Sequence, residues 1–210
     1  MPPRAFALFF VAPIVALAAD DQPVQAPYVE VGDCWSYRGE NIYNRGPIED
    51  FEICVTFVNK LKDIIAAVAT VKSDGREIDV TYSTSWGIYR SLSGMTSPQG
   101  MNFYKFPLHV GDAYSNEFEY RDAMSGANRG KVTWKFRVVG WEDVTVPAGT
   151  FHALKIEGQG IIQRYDLDSR IFPVMATAWY SPEVNRHVKN LFKYPDRQTG
   201  VELTAYRLNK

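Results

Sequence analysis

An all-β fold, an antiparallel meander of about a dozen strands curled into a sheet, half-barrel or barrel with little helix, is the class this sequence predicts. Three observations carry it. Apolar and polar residues alternate with period two from Cys34 almost to the end, turn-forming residues separate the alternating runs, and no stretch combines helical apolar spacing with helix caps.

Ahead of the first strand lie a short charged start ending in Arg4, an apolar run from Ala5 to Leu17, and the small-residue triplet Ala16, Leu17, Ala18. That layout is a secretory signal peptide over residues 1–18, with cleavage expected after Ala18. The apolar run is shorter than the roughly 20 residues a helix needs to cross a membrane, and no later segment reaches that length, so no transmembrane segment is expected. A lipid anchor would need a cysteine just after the cleavage site, whereas the first is Cys34. Residues 19–30 are polar and proline-containing and are expected to be flexible. Residues 31–210 form a single β-rich domain.

Without the signal peptide the chain loses Arg4 and no acidic residue, leaving 22 Lys+Arg against 24 Asp+Glu and a net charge of −2. That balance, with no basic run, argues against nucleic acid and against an electrostatic hold on anionic lipid. Aromatic residues make up 14% of the sequence and are spread along it, enough for a continuous core.

The strands follow in order. Cys34, Trp35 and Tyr37 lie opposite Cys54, Ile53 and Phe51 if the first two strands are antiparallel neighbours whose paired numbers sum to 88. One register satisfies all three pairings, and directly opposed residues sit about 4.5 to 5.5 Å apart at Cα, so a Cys34–Cys54 disulfide is expected in an exported protein. A redox-active pair would call for Cys-x-x-Cys spacing. Ile64 to Val71 is apolar and alanine-rich on both faces, a strand covered on both sides or a short helix; its β-branched ends favour the strand. Ile78, Val80 and Tyr82, then Tyr114, Phe118 and Tyr120, then Val132, Trp134, Phe136 and Val138 each alternate with polar neighbours and read as half-buried strands. Asp74-Gly75, Ser125-Gly126, Arg129-Gly130, Pro147-Ala148-Gly149 and Ser181-Pro182 supply the turns between runs. Val31-Gly32-Asp33-Cys34-Trp35-Ser36 is echoed by Val110-Gly111-Asp112-Ala113-Tyr114-Ser115. A shared strand-entry turn accounts for the echo; an ancient duplication is the sharper reading.

In the carboxyl-terminal third, Val144-Thr145-Val146-Pro147-Ala148-Gly149-Thr150-Phe151-His152-Ala153-Leu154-Lys155-Ile156-Glu157 is followed by Trp179-Tyr180-Ser181-Pro182-Glu183-Val184-Asn185-Arg186-His187-Val188-Lys189. These strings, with the start at Val31 to Tyr37, resemble the TapB-like families of exported bacterial proteins. The resemblance implies a curved antiparallel sheet and an envelope location, and it implies no activity.

No chemical constellation emerges. His109, His152 and His187 show no paired metal-ligand spacing, Gly-x-Ser-x-Gly is absent, and Gly158-Gln159-Gly160 lacks the third glycine and following helix of a dinucleotide loop. Asp166-Leu167-Asp168 and Glu142-Asp143 could supply carboxylates, and Trp86, Trp141 and Trp179 a sugar-stacking surface, but nothing in the pattern opposes two carboxylates across a cleft. No catalytic residue, metal or cofactor is therefore expected. The expected role is periplasmic and non-catalytic: an apolar or amphipathic ligand, such as a lipid, held on a concave face by Trp134, Phe136, Tyr114, Phe118 and Tyr120. The alternative is a structural or assembly partner of an envelope protein complex, working through exposed strand edges or a loop at Ser93 to Asn102. A hydrolase ranks below both. A void of several hundred Å³ favours the ligand, and a filled core with an exposed apolar patch favours the protein partner.

Overall fold

Alternation turns one row of apolar side chains inward along each strand. The computed structural model describes residues 22–41, 49–165 and 170–209, and in it these rows close into a twelve-stranded barrel. The strands are β1 (Cys34–Asn41), β2 (Phe51–Asn59), β3 (Ile64–Val71), β4 (Glu77–Tyr82), β5 (Ile88–Arg90), β6 (Met95–Met101), β7 (Ala113–Asp122), β8 (Asn128–Val146), β9 (Gly149–Arg164), β10 (Ile171–Ser181), β11 (Arg186–Lys193) and β12 (Gln198–Arg207). Each runs antiparallel to the next, and β1 closes the ring by pairing with both β2 and β12. The one helical element among the described residues is a 3-10 turn at Lys60–Lys62. The signal peptide and its cleavage site lie outside the described residues.

Because the strands alternate in direction, the turns at 72–76, 91–94, 123–127 and 194–197 gather at one end, here the upper end. The lower end carries the connections 83–87, 102–112 and 182–185. Trp35, Trp86, Tyr104 and Leu108 are buried there and close the barrel. Within the stretch expected to be flexible, Val24 exchanges two backbone hydrogen bonds with Leu108, each 2.9 Å, and Val24 and Val29 are buried.

The register of β1 with β2 is the one expected: Cys34 faces Cys54, Trp35 faces Ile53 and Tyr37 faces Phe51. Cys34 and Cys54 are joined as a disulfide, with their Cα atoms 4.2 Å apart. In β3, burial alternates strictly, with Ile65, Ala67, Ala69 and Val71 inside and the intervening residues partly exposed. It is a strand covered on one face, not two, since a single-layered barrel offers cover only from within.

The two echoed strings make the same turn. Gly32 and Gly111 have φ of 93° and 92°, a region open to glycine and strained for other residues. Gly32 N donates to Val55 O at 2.8 Å as Gly111 N donates to Val138 O at 2.9 Å, and the returning bonds to Asp33 O and Asp112 O are both 2.9 Å. The copies open β1 and β7, six strands apart in a ring of twelve.

Pairing is thinnest around β5 and β6. β6 meets β7 only at Met95 with Asp122 and Thr96 with Arg121, and below that point the seam is bridged by side chains. Asn116 donates to Asn102 O at 2.7 Å and Tyr114 to Phe103 O at 2.9 Å. The Ser93–Asn102 stretch expected as a loop is mostly strand β6. Its exposed Pro98 and its Gly100, at φ 76°, concealed the alternation.

Candidate functional site

The interior is built around β8 and β9. Val132, Trp134 and Phe136 point inward from β8 while Lys135 and Arg137 are exposed on the outer face. Across the ladder, Trp134 faces Gly160 and Phe136 faces Gly158. A β-carbon at Gly160 would stand 2.6 Å from Trp134 Cε3, and one at Gly158 would stand 2.6 Å from Phe136 Cε1. The two glycines thus let the rings lie flat over β9. The rings stack on each other at 5.3 Å, and Phe103 packs at 5.9 Å from Trp134 and 4.7 Å from Phe136.

Above these rings the barrel is hollow. A cavity of about 540 Å³ is bounded by Met101, Phe103, Phe118, Tyr120, Val132, Trp134, Ile162, Phe172 and Phe192, with Ser91, Ser93, Arg164 and Arg197 toward the upper end. Two further hollows, of about 390 Å³ and about 120 Å³, lead toward the closed end, and Ile88 and Phe192 border all three. Of the five residues expected to line a binding face, Phe118, Tyr120 and Trp134 border this hollow. Phe136 lies beneath them as core, 2% exposed. Tyr114 turns to the β6–β7 seam, its ring 5.3 Å from Phe136. Both belong to the same inward row, but the hollow stops short of their end of the barrel.

At the closed end Arg186, His187 and Asn190 join largely aromatic walls. Arg186 opens β11 and is 4% exposed. Its guanidinium carbon lies 4.2, 4.9 and 5.1 Å from the ring centres of Trp86, Tyr82 and Trp35. The turn that delivers it is pinned by two indoles, Trp35 Nε1 donating to Val184 O at 2.8 Å and Trp86 Nε1 to Asn185 O at 2.7 Å. Trp86 occupies the left-handed region at φ 63°, an uncommon place for a bulky residue. Ser83 steadies it, its carbonyl accepting from Trp86 N at 3.0 Å and its hydroxyl from Gly87 N at 2.8 Å.

His187 is not the solvent-facing loop residue that its place beside a turn implies. It sits on β11 against Tyr37, with ring centres 5.1 Å apart, and borders both deeper hollows. A register shift leaves Val188 without a partner on β10 and pairs His187 with Tyr180, the kind of bulge that re-aims a side chain. Burial and the adjacent Arg186 charge lower the imidazole pKa to about 3. Burial pushes the phenols of Tyr37 and Tyr180 well up.

The other candidates lie elsewhere. Trp86 is inside at the closed end, whereas Trp141 stacks on His152 at 5.0 Å on the outer wall, where His152 Nδ1 lies 2.8 Å from Asp143 Oδ1. Trp179 donates to Glu142, with Lys155 and Lys189 over its ring. These groups share an open surface, not a cleft. Asp166 and Asp168 lie outside the described residues. Among the described residues no three His, Cys, Asp or Glu side chains gather to hold a metal ion.

The fold has relatives among solved structures. The chain is similar over 89% of its length to all of a candidate exported protein with a YmcC-like fold from Bacteroides fragilis, at 14% identity and a TM-score of 0.61. It is similar to the same extent to all of a candidate lipoprotein from Parabacteroides distasonis, at 14% identity and a TM-score of 0.56. No protein-family model matches the chain and no curated protein does. The TapB-like name suggested by the sequence is thus not supported, whereas the β-rich fold that came with it is present.

Proposed function

We propose that this protein is a non-catalytic binding protein of the cell envelope that takes an apolar or amphipathic molecule into its barrel. One observation carries the reading: a hollow of about 540 Å³, walled mostly by aromatic and aliphatic side chains with a few polar groups at its upper end. Natural small-molecule sites have that volume and lining, and most domains leave few voids larger than a water molecule. The leader-like amino terminus and the exported and lipoprotein-type structural neighbours support placement outside the cytoplasm.

The test is native mass spectrometry of protein isolated from its own envelope, followed by tryptophan fluorescence titration of delipidated protein with long-chain amphiphiles. Co-purifying mass and a saturable titration are expected. Neither would leave the second reading, docking of a protein partner. Ile161, Ile171 and Met175 favour that one, because they lie 56%, 63% and 53% exposed on the outer wall of β9 and β10 beside the cavity's upper end.

A further inference from the structure

Among the described residues, the interior holds a charge with no counter-charge. Arg186 is buried, its Nε and Nη1 have no hydrogen-bond partner, and among the described residues no carboxylate stands within ion-pair distance of it. Three of the five N–H donors of the guanidinium are on those two nitrogens, so most of its hydrogen-bonding capacity is unused. An arginine keeps its proton under these conditions. Leaving its charge unpaired in an apolar interior is costly, and aromatic faces recover only part of that cost. Nor does its neighbourhood supply an anion: Tyr37 stays a neutral phenol and donates its proton to His187 O at 2.8 Å, the hydroxyls of Tyr37 and Tyr82 also approach the guanidinium, and Tyr82 and Trp86 offer ring faces.

This cation borders both deeper hollows. The widest space, about 540 Å³, lies toward the upper end, and the hollows that meet at Arg186 are smaller, about 390 Å³ and about 120 Å³, room for a small charged head. Phe103 and Phe192 line both the wide hollow and the narrow one, an apolar track suited to a hydrocarbon chain.

From this geometry we propose that Arg186 is the anchor of an anionic ligand: a long-chain carboxylate bound with its head down at the closed end and its chain running past Phe103 and Phe192 to the upper end. The proposal rests on the ligand-binding reading above and adds head chemistry and orientation to it. Binding completes the arginine's missing ion pair in a low-dielectric site, where such a pair is far stronger than in water. The neutral His187 beside it adds no second charge, which fits a singly charged head.

The test compares palmitate, hexadecanol and hexadecyl phosphate, titrated at pH 8 into the full delipidated chain as wild type, Arg186→Met and Arg186→Lys. Wild type should bind palmitate at least tenfold more tightly than hexadecanol and more tightly than hexadecyl phosphate. Arg186→Met should bring palmitate and hexadecanol within about twofold while still binding the alcohol, and Arg186→Lys should keep part of the preference. Should Arg186→Met not fold, the wild-type ratio and the lysine variant decide. Equal wild-type affinity for palmitate and hexadecanol would make Arg186 a structural clamp and overturn the proposal while the barrel remained a binding protein. A preference for hexadecyl phosphate would overturn the carboxylate assignment. No binding of any of the three would sink the ligand-binding reading and this proposal with it.

Discussion

Gly160 stands across the β8–β9 ladder from Trp134, so close that a β-carbon there would lie 2.6 Å from the indole. The floor of the hollow thus depends on a missing methyl group.

Gly160→Ala should destabilise the protein by about 1–3 kcal/mol, the usual cost of overpacking a fixed core. Gly140→Ala, on the same pair of strands with nothing within 4 Å of the added carbon, should stay within about 0.5 kcal/mol of wild type. Urea unfolding of the two variants checks both. A neutral Gly160→Ala would mean that Trp134 can move aside.

Trp134→Ala should cost about 3–5 kcal/mol. The ring is 5% exposed and packed against Phe103, Phe136 and Phe192. It lines the hollow and holds the core together, so its loss does not separate binding from folding. Met101→Trp, which fills the cavity from a partly buried position, should abolish amphiphile binding while leaving the unfolding midpoint near that of wild type. Calorimetry and denaturation of the same samples decide the point.

Much of this was legible in the sequence, because period-two alternation and turn residues encode local geometry. Matching Cys34, Trp35 and Tyr37 to Cys54, Ile53 and Phe51 fixed a register correctly. The same procedure applied to β8 and β9 would have paired Trp134 with Gly160 and Phe136 with Gly158, since both pairs sum to 294. Gly158-Gln159-Gly160 looks instead like part of a nucleotide loop, which hides that pairing. Arg186 left no such trace. Alternation cannot say whether an arginine at a strand end turns inward, and the rings that enclose it come from Trp35, Tyr82 and Trp86 on other strands and turns. His187 was obscured in the same way by the bulge at Val188.

His187 gives a signed pH dependence. Its pKa is about 3 when folded against about 6.5 for a free imidazole. As pH falls, the unfolded chain takes up this proton first, so stability is unaffected above about pH 6.5 and is lost progressively between there and about pH 3. His187→Gln should remove that share. Unfolding free energies of the two proteins from pH 7.5 to pH 4 should therefore converge toward acid. Parallel curves would show that the ring is not held neutral.

Reducing the Cys34–Cys54 bond should lower stability by about 3 kcal/mol, the chain-entropy value for a loop of this size; the sequence separation is 20. Denaturation with and without reductant, alongside a Cys34→Ala/Cys54→Ala double variant, checks it. No loss in either would locate the hairpin's stability in strand pairing alone.

The two echoed turns should differ in weight. Asp33 is buried and accepts from Glu30 N at 2.9 Å and from Asn209 N at 2.7 Å, whereas Asp112 is more exposed and accepts from His109 N at 2.8 Å. Asp33→Ala leaves two donors without their acceptor and should cost about 2–4 kcal/mol, against about 1 kcal/mol for Asp112→Ala. Thermal or urea unfolding ranks them, and equal effects would count against the weight placed on the bonds Asp33 accepts from Glu30 and Asn209.

The pairing of β1 with β12 also dictates an order of events. Residues 34–41 find their second neighbour in residues 199–207, so the ring cannot shut until the chain is present through residue 207. Such end-to-end contacts carry a large closure entropy and place the protein among slow, high-contact-order folders. Until the last strand docks, β1 and β11 each present a bare row of amide and carbonyl groups, a template for sticking to other chains. A cell making this protein must therefore hold a growing chain apart from its neighbours until β12 has emerged.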